Sequence, residues 1–137
     1  MGLPAPARRA LQALGEFAAA PGRALGIGEV ARRLGLPPAA LSKGFQRLAR
    51  AGVLRSRRGA GGGYELIRDP RAVHLSEVVA ALEARSSGAP RCLLEDRTCG
   101  AGGACAVHEA TEKADGALRS ALASLTLADL AAAGRRR

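Results

Sequence analysis

Between Ala5 and Ala20 the apolar side chains Leu11, Leu14, Phe17 and Ala18 recur at the three-to-four spacing that puts them on one face of a helix. Pro21-Gly22 stops that helix. IGEVARRLG predicts a short second one, with Ile27, Val30, Ala31 and Leu34 on one face and Gly35 as its C-terminal stop. After the turn LPP, PAALSKGFQRLARAGV predicts a third helix with Pro38 in its first turn. Its Leu41, Phe45 and Leu48, with Ala49 beside them, face inward and leave Ser42, Lys43, Gln46, Arg47 and Arg50 outward. Two helices joined by a tight turn, the second with a polar and basic outer face, is the helix-turn-helix layout.

After Gly52 the period changes. VLRSRRGAGGGYELIRD reads as a strand with Val53 and Leu54, a glycine-rich turn, and a strand with Tyr64, Leu66 and Ile67, a β-hairpin that forms a wing on the third helix. Its arginines are placed to reach a phosphate backbone or a narrow minor groove. A nucleotide-cradling loop does not suit GAGGGY, which lacks a following helix and the Lys-Ser/Thr of a P-loop. HLSEVVAALEAR predicts a fourth helix capped by Ser76, with Leu75, Val78, Val79 and Leu82 inward and His74 structural or exposed. SSGAP breaks the chain. From about Cys105 a long helical pattern resumes, with Leu118, Leu122 and Leu125 at i, i+4 and i+7. That stripe reads as a dimerisation face, or as a surface packed back on the first helix. TLADLAAAG predicts a last short helix capped by Thr126, with Asp129 at its third position, before a frayed Arg135–Arg137. The expected fold is mainly α with a small β-hairpin wing: a winged helix-turn-helix over 1–84, a cysteine-containing sensor loop over 85–104, and a dimerisation helix with its tail over 105–137.

Composition narrows the core. In 137 residues, about one domain, 47% are hydrophobic but only 2% aromatic, so Leu, Val and Ala must fill the interior, a choice that favours helices. The formal net charge is +9, with arginines clustered at Arg8/Arg9, Arg32/Arg33, Arg47 to Arg58 and Arg135 to Arg137. A polyanionic partner explains this better than a merely solvated surface, because Lys and Arg supply most non-specific affinity for nucleic acid. A membrane-surface helix is disfavoured by apolar faces that lack Trp and Phe. No apolar run of about 18 residues and no signal-peptide pattern occurs, which predicts a cytoplasmic protein.

All three cysteines and one of the two histidines fall in residues 92–108, CLLEDRTCGAGGACAVH. Three thiols cannot all pair within one chain, and clustered in a cytoplasmic protein they point to metal binding or thiol chemistry.

The order helix-turn-helix, RSRRGAGGGYELIRDP, LSEVVAALE, three-cysteine segment and TLADL resembles the Rrf2 family of bacterial transcription regulators over about residues 5 to 133. The wing Arg58-Gly59-Ala60-Gly61-Gly62-Gly63-Tyr64 is similar to the family's R-G-x-G-G-G followed by Tyr or Phe. The spacing C-x6-C-x5-C-x2-H is similar to that of its iron–sulfur members. The resemblance implies a homodimer that binds a palindromic operator in double-stranded DNA, with no small-molecule substrate. It implies an iron–sulfur cluster, 2Fe–2S or 4Fe–4S, whose state changes DNA affinity, and it places Cys92, Cys99 and Cys105 as thiolate ligands with His108 as candidate fourth. Some nitric-oxide-sensing members take their fourth ligand from an acid near the partner's N-terminus. This chain has Arg8 and Arg9 there, and its nearest acid is Glu16. It also departs from the family pattern with Arg9 and Thr111 at usually aromatic positions and with ALSKGFQRL in the third helix.

In that layout Ser42, Lys43, Gln46 and Arg47 enter the major groove, and the wing contributes Arg55, Arg57, Arg58, Gly59 and Tyr64. For the cysteine segment a cluster is favoured: Gly100, Gly102 and Gly103 let the backbone wrap closely, and Arg91 and Arg97 offset its negative charge. Zinc on the same Cys₃His set remains open, although there is no C-x-x-C pair. So does a metal-free switch in which Cys99 and Cys105 form a reversible disulfide. Three incidental thiols in one loop is the least attractive reading. An enzyme is not expected, because the Cys/His pair has no third group to orient it.

Overall fold

The computed structural model describes residues 3–83 and 105–134. The expected sensor loop, with Cys92 and Cys99, lies outside the described residues, as do Met1, Gly2, Ala84 and Arg135–Arg137.

Six helices and one hairpin follow in order among those residues: α1 (Ala5–Ala19), α2 (Ile27–Leu34), α3 (Ala39–Arg50), β1 (Leu54–Arg57), β2 (Gly63–Leu66), a 3-10 turn (Pro70–Ala72), α4 (Leu75–Glu83), α5 (Ala106–Ser124) and α6 (Leu127–Gly134). This is the mainly helical winged architecture expected. The apolar period holds in α1, whose Leu11, Leu14, Phe17 and Ala18 are all buried, and in α3, whose Leu41, Phe45 and Leu48 are fully buried. Two phenylalanines and one tyrosine are the chain's only aromatics, and the structure puts them in one run. Phe17 meets Phe45 edge-on with centroids 5.5 Å apart, and Phe45 meets Tyr64 edge-on at 5.3 Å. Edge-to-face contacts of this kind add about 0.5–1.5 kcal/mol each beyond the area they bury. The run ties α1 through α3 to the wing.

The hairpin is antiparallel, with Leu54 opposite Leu66, Arg55 opposite Glu65, Ser56 opposite Tyr64 and Arg57 opposite Gly63. Leu25 adds a single bridge on its outer side, exchanging backbone hydrogen bonds with Tyr64 at 2.8 and 2.9 Å. Gly63 makes that approach possible: its φ is +142°, and a Cβ there would sit 2.3 Å from the Leu25 carbonyl oxygen. The turn itself reverses through Gly59, at φ +95°.

α4 starts at Leu75, so Ser76 lies inside its first turn and is not the cap expected of it. The chain returns beside that start. Leu75 N–H donates to the Leu125 carbonyl at 2.9 Å, Leu127 N–H donates to the Val73 carbonyl at 3.0 Å, and His74 bridges Thr126. At the start of α6 the Asp129 carboxylate accepts from both the N–H and the hydroxyl of Thr126 at 2.8 Å, which holds its pKa below the usual carboxylate value. α6 packs on α1 and α5 on α4, so Leu122, Leu127 and Ala131 join the same core as the N-terminal helices.

Candidate nucleic-acid interface

The outer face of α3 is less uniform than its periodicity suggests. Lys43, Gln46 and Arg50 are exposed. Ser42 is half-buried, and its hydroxyl donates back to the Pro38 carbonyl at 3.2 Å. Arg47 differs from expectation: it is half-buried, and its Nη1 donates to the carbonyl of Leu82 in the last turn of α4. A long arginine stem can reach round the edge of a helix and satisfy a neighbour's orphan carbonyl, and here it does. Lys43 and Gln46, with Arg50, therefore make the open polar face, while Arg47 ties α3 to α4.

The wing is also more structured than a basic loop. Arg55 and Arg57 are two residues apart on β1 and so share one face of the hairpin with Glu65, which is directly opposite Arg55. Glu65 is only 4% exposed. Arg55 donates from Nε to Glu65 Oε1 at 2.8 Å and from Nη2 to the same oxygen, while Arg57 Nε lies 2.9 Å from Oε2. Arg58 and Gly59 are exposed at the hairpin's turn. Tyr64 points the other way, half-buried with its ring against Phe45, so its aromatic body packs the wing onto α3. The buried acid was not anticipated. Counting the hairpin register outward from the glycine turn would have set Glu65 opposite Arg55.

Behind this face, Arg33 staples α1 to α2, donating to Glu16 at 3.0 Å and to Glu29 at 2.6 Å. The hydrogen bond to Glu16 and the charge of Glu29 raise the Arg33 pKa further above its ordinary value. Glu16, the nearest acid to the N-terminus, is thus occupied within its own chain. A cleft of about 660 Å³ opens beside it between α1, α2 and α6, lined by none of the residues expected to bind DNA or metal.

Of the four candidate ligands, two are described. Cys105 is the N-cap of α5, half-buried, with no side-chain capping bond. His108 is half-buried one turn further on, and its carbonyl accepts from the Thr111 hydroxyl at 2.8 Å. Residues three apart on a helix share a face, which lets the Cys105 sulfur and the His108 imidazole lie on one side of the first turn. The pair therefore fits the donor chemistry of an iron–sulfur or zinc site. Among the described residues no three His, Cys, Asp or Glu side chains cluster as a metal site.

The expected dimer stripe divides. Leu118 and Leu125 are exposed, at 37% and 41%, but Leu122 is 8% exposed within its own chain and forms part of the core. Leu122 thus packs within its own chain, and Leu118 and Leu125 are the open members of the stripe.

The family model for Rrf2, described as an iron-dependent transcriptional regulator, matches residues 4–133. The chain belongs to the Rrf2 family. Curated relatives include an rrf2-like protein of Rhodobacter capsulatus, 35% identical over 117 residues (82% of this chain and 77% of that one). The transcriptional regulator IscR of Xenorhabdus nematophila is 32% identical over 104 residues, or 76% of this chain. That match spans 62% of the IscR length. Among solved structures, CymR of B. subtilis, named the global cysteine regulator, superposes with TM-score 0.75 at 26% identity, covering 96% of this chain and 97% of that one. IscR of T. potens superposes with TM-score 0.72 at 24% identity, covering 95% and 85%. The relatives of this Rrf2 protein are regulators of transcription, not enzymes. Among the described residues no helix is long and apolar enough to cross a membrane.

Proposed function

We propose that this Rrf2 protein is a cytoplasmic homodimer that binds a palindromic DNA operator and changes its affinity with the state of an iron–sulfur cluster. The carrying observation is the division of α3: Leu41, Phe45 and Leu48 are wholly buried while Lys43 and Gln46 stand open beside a hairpin whose turn exposes Arg58. Lys43 and Gln46, with Ser42, read base edges in the major groove, and Arg55, Arg57 and Arg58 hold the phosphate backbone or the minor groove. Arg47 serves the interface by fixing α3 against the end of α4. Gly59 shapes the wing turn, and Tyr64 seats the wing on α3. The second protomer covers the open face of α5 through Leu118 and Leu125.

Cys92, Cys99 and Cys105, with His108, are the proposed ligands. A cluster bound there supplies a redox-labile centre whose gain or loss changes the charge and order of the segment it joins. Cys105 and His108 fix one side of that centre to the first turn of α5, and Cys92 and Cys99 lie on the chain between α4 and α5. The state of the segment thus bears on both helices, and through the Arg47 contact on α3. The half-exposed, uncapped Cys105 thiol also suits a cluster-free disulfide switch or a zinc site.

The test joins two measurements on protein purified without oxygen: a visible spectrum with iron, sulfide and zinc analysis, and duplex-DNA affinity as a function of salt. Matching iron and sulfide, with log Kd rising steeply with log salt, is the expected result. Stoichiometric zinc, or no metal, replaces the cluster with one of the two alternatives, and a salt-independent Kd removes the DNA reading.

A further inference from the structure

A surface that attracts phosphate has little evident use for a carboxylate, yet Glu65 is buried in the wing between two of its arginines. The bonding pattern explains its presence. Glu65 Oε1 accepts from both Nε and Nη2 of Arg55, and its Oε2 forms an ion pair with Nε of Arg57 at 2.9 Å, so one carboxylate holds the Nε side of each guanidinium. Among the described residues the Nη groups of Arg57 and Nη1 of Arg55 have no other partner, and the two side chains remain 58% and 61% exposed. An arginine is a planar fork of five donors, so clamping one edge fixes the direction of the other. Left alone, two adjacent guanidiniums would also repel each other and splay apart. One shared carboxylate cancels that repulsion and leaves the wing with a pair of oriented forks rather than two mobile charges.

We infer that Glu65 is a positioning residue for DNA binding: by clamping Arg55 and Arg57 from below it sets them as a preformed phosphate cradle along β1. The inference rests on the wing contacting DNA and adds to that reading an acid that strengthens binding to a polyanion. The effect runs against bulk electrostatics. Glu65→Gln raises the formal net charge of +9 by one unit and, if charge alone mattered, would tighten binding. The cradle predicts a looser complex, because binding must then order two long side chains that Glu65 had already ordered.

The experiment measures Kd on a fluorescein-labelled, mixed-sequence duplex across a salt series, a probe that suffices because phosphate contacts are independent of sequence. The full-length chain is compared with Glu65→Gln, Glu65→Asp and Arg58→Ala, with thermal unfolding of each. Glu65→Gln is expected to raise Kd about tenfold and to flatten the log–log salt slope by up to about two phosphates' worth, at roughly 0.9 each. Glu65→Asp, which keeps the charge but draws the carboxylate back by one methylene, is expected to lose affinity as well and carries the test should the Gln variant unfold. In an Arg55→Gln/Arg57→Gln background the Glu65→Gln change is expected to cost no affinity, because nothing is left to position. A loss that persists in that background means Glu65 acts on the fold and overturns the inference. So does a Glu65→Gln or Glu65→Asp protein that is folded and binds as tightly as the parent while Arg58→Ala binds more weakly. If neither Arg58→Ala nor the Glu65 variants change Kd, the wing reading falls with it.

Discussion

α3 and α5 are both amphipathic by pattern, and only α3 is finished within the described residues. Every large apolar side chain on the inner face of α3 is fully buried, against α1, α4 and the wing. α5 is 19 residues long and buries one leucine, Leu122, while Leu118 and Leu125 of the same stripe remain open. Full burial of a leucine contributes about 1.5–3 kcal/mol, so the open pair, at 37% and 41% exposure, holds back about 1–2 kcal/mol per chain. One helix is held by its own chain; the other leaves two leucines of its stripe open among the described residues.

The largest expected effect tests the finished helix. Phe45→Ala breaks the aromatic run at its middle, removing contacts to both Phe17 and Tyr64, and is expected to cost about 3–5 kcal/mol. Denaturant unfolding should show that loss at any protein concentration; a loss below about 1 kcal/mol would mean the run is ornamental. The unfinished helix should behave in the opposite way. Leu118→Gln with Leu125→Gln is expected to leave the far-ultraviolet spectrum of the chain intact while raising the dissociation constant of the proposed dimer about a hundredfold or more, as read by sedimentation. Unchanged self-association would remove the α5 stripe from the proposed dimer, and a parent chain that is monomeric would remove the dimer itself.

The smallest effect sits where the two halves join. Asp129 is held below its ordinary value of 3.8 by the N–H and hydroxyl of Thr126. A carboxylate depressed in the folded state adds stability above its unfolded pKa, and that contribution disappears as pH falls through the folded one. Asp129→Asn should therefore lower the thermal midpoint slightly at pH 7, and the gap to wild type should close as pH falls below 3.8. A gap that does not depend on pH would show that the charge of Asp129 plays no part.

Most of the architecture was legible in the sequence because it rests on short-range rules. The apolar spacing marked the helices, Pro21-Gly22 and Gly35 the stops, and GAGGGY the hairpin turn. The candidate interface was legible only by face. Periodicity says which way a Cα–Cβ bond points, and this was enough for Lys43 and Gln46. It does not say where a long side chain ends, and so Arg47 was read as outward although its guanidinium turns in to Leu82. Tyr64 sat inside a recognisable motif, but its partner Phe45 is on another element. The burial of Leu122 was illegible for a related reason: its stripe is visible in the sequence, whereas the return of the chain to Val73 and Leu75 depends on backbone pairing that no local pattern announces.

That return has a consequence for how such proteins can change over time. Val73–Leu75 and Leu125–Leu127 form a small hydrogen-bonded stem, so the core helix α4 starts, and α5 ends, at one fixed point on the body. Closing an excursion from a fixed stem costs only about 0.6 kcal/mol for each doubling of its length. The stem therefore works as a socket. A lineage can lengthen, shorten or rewrite the connection between α4 and α5 at small thermodynamic cost, while the part that meets DNA keeps its core, α4 included, and its wing.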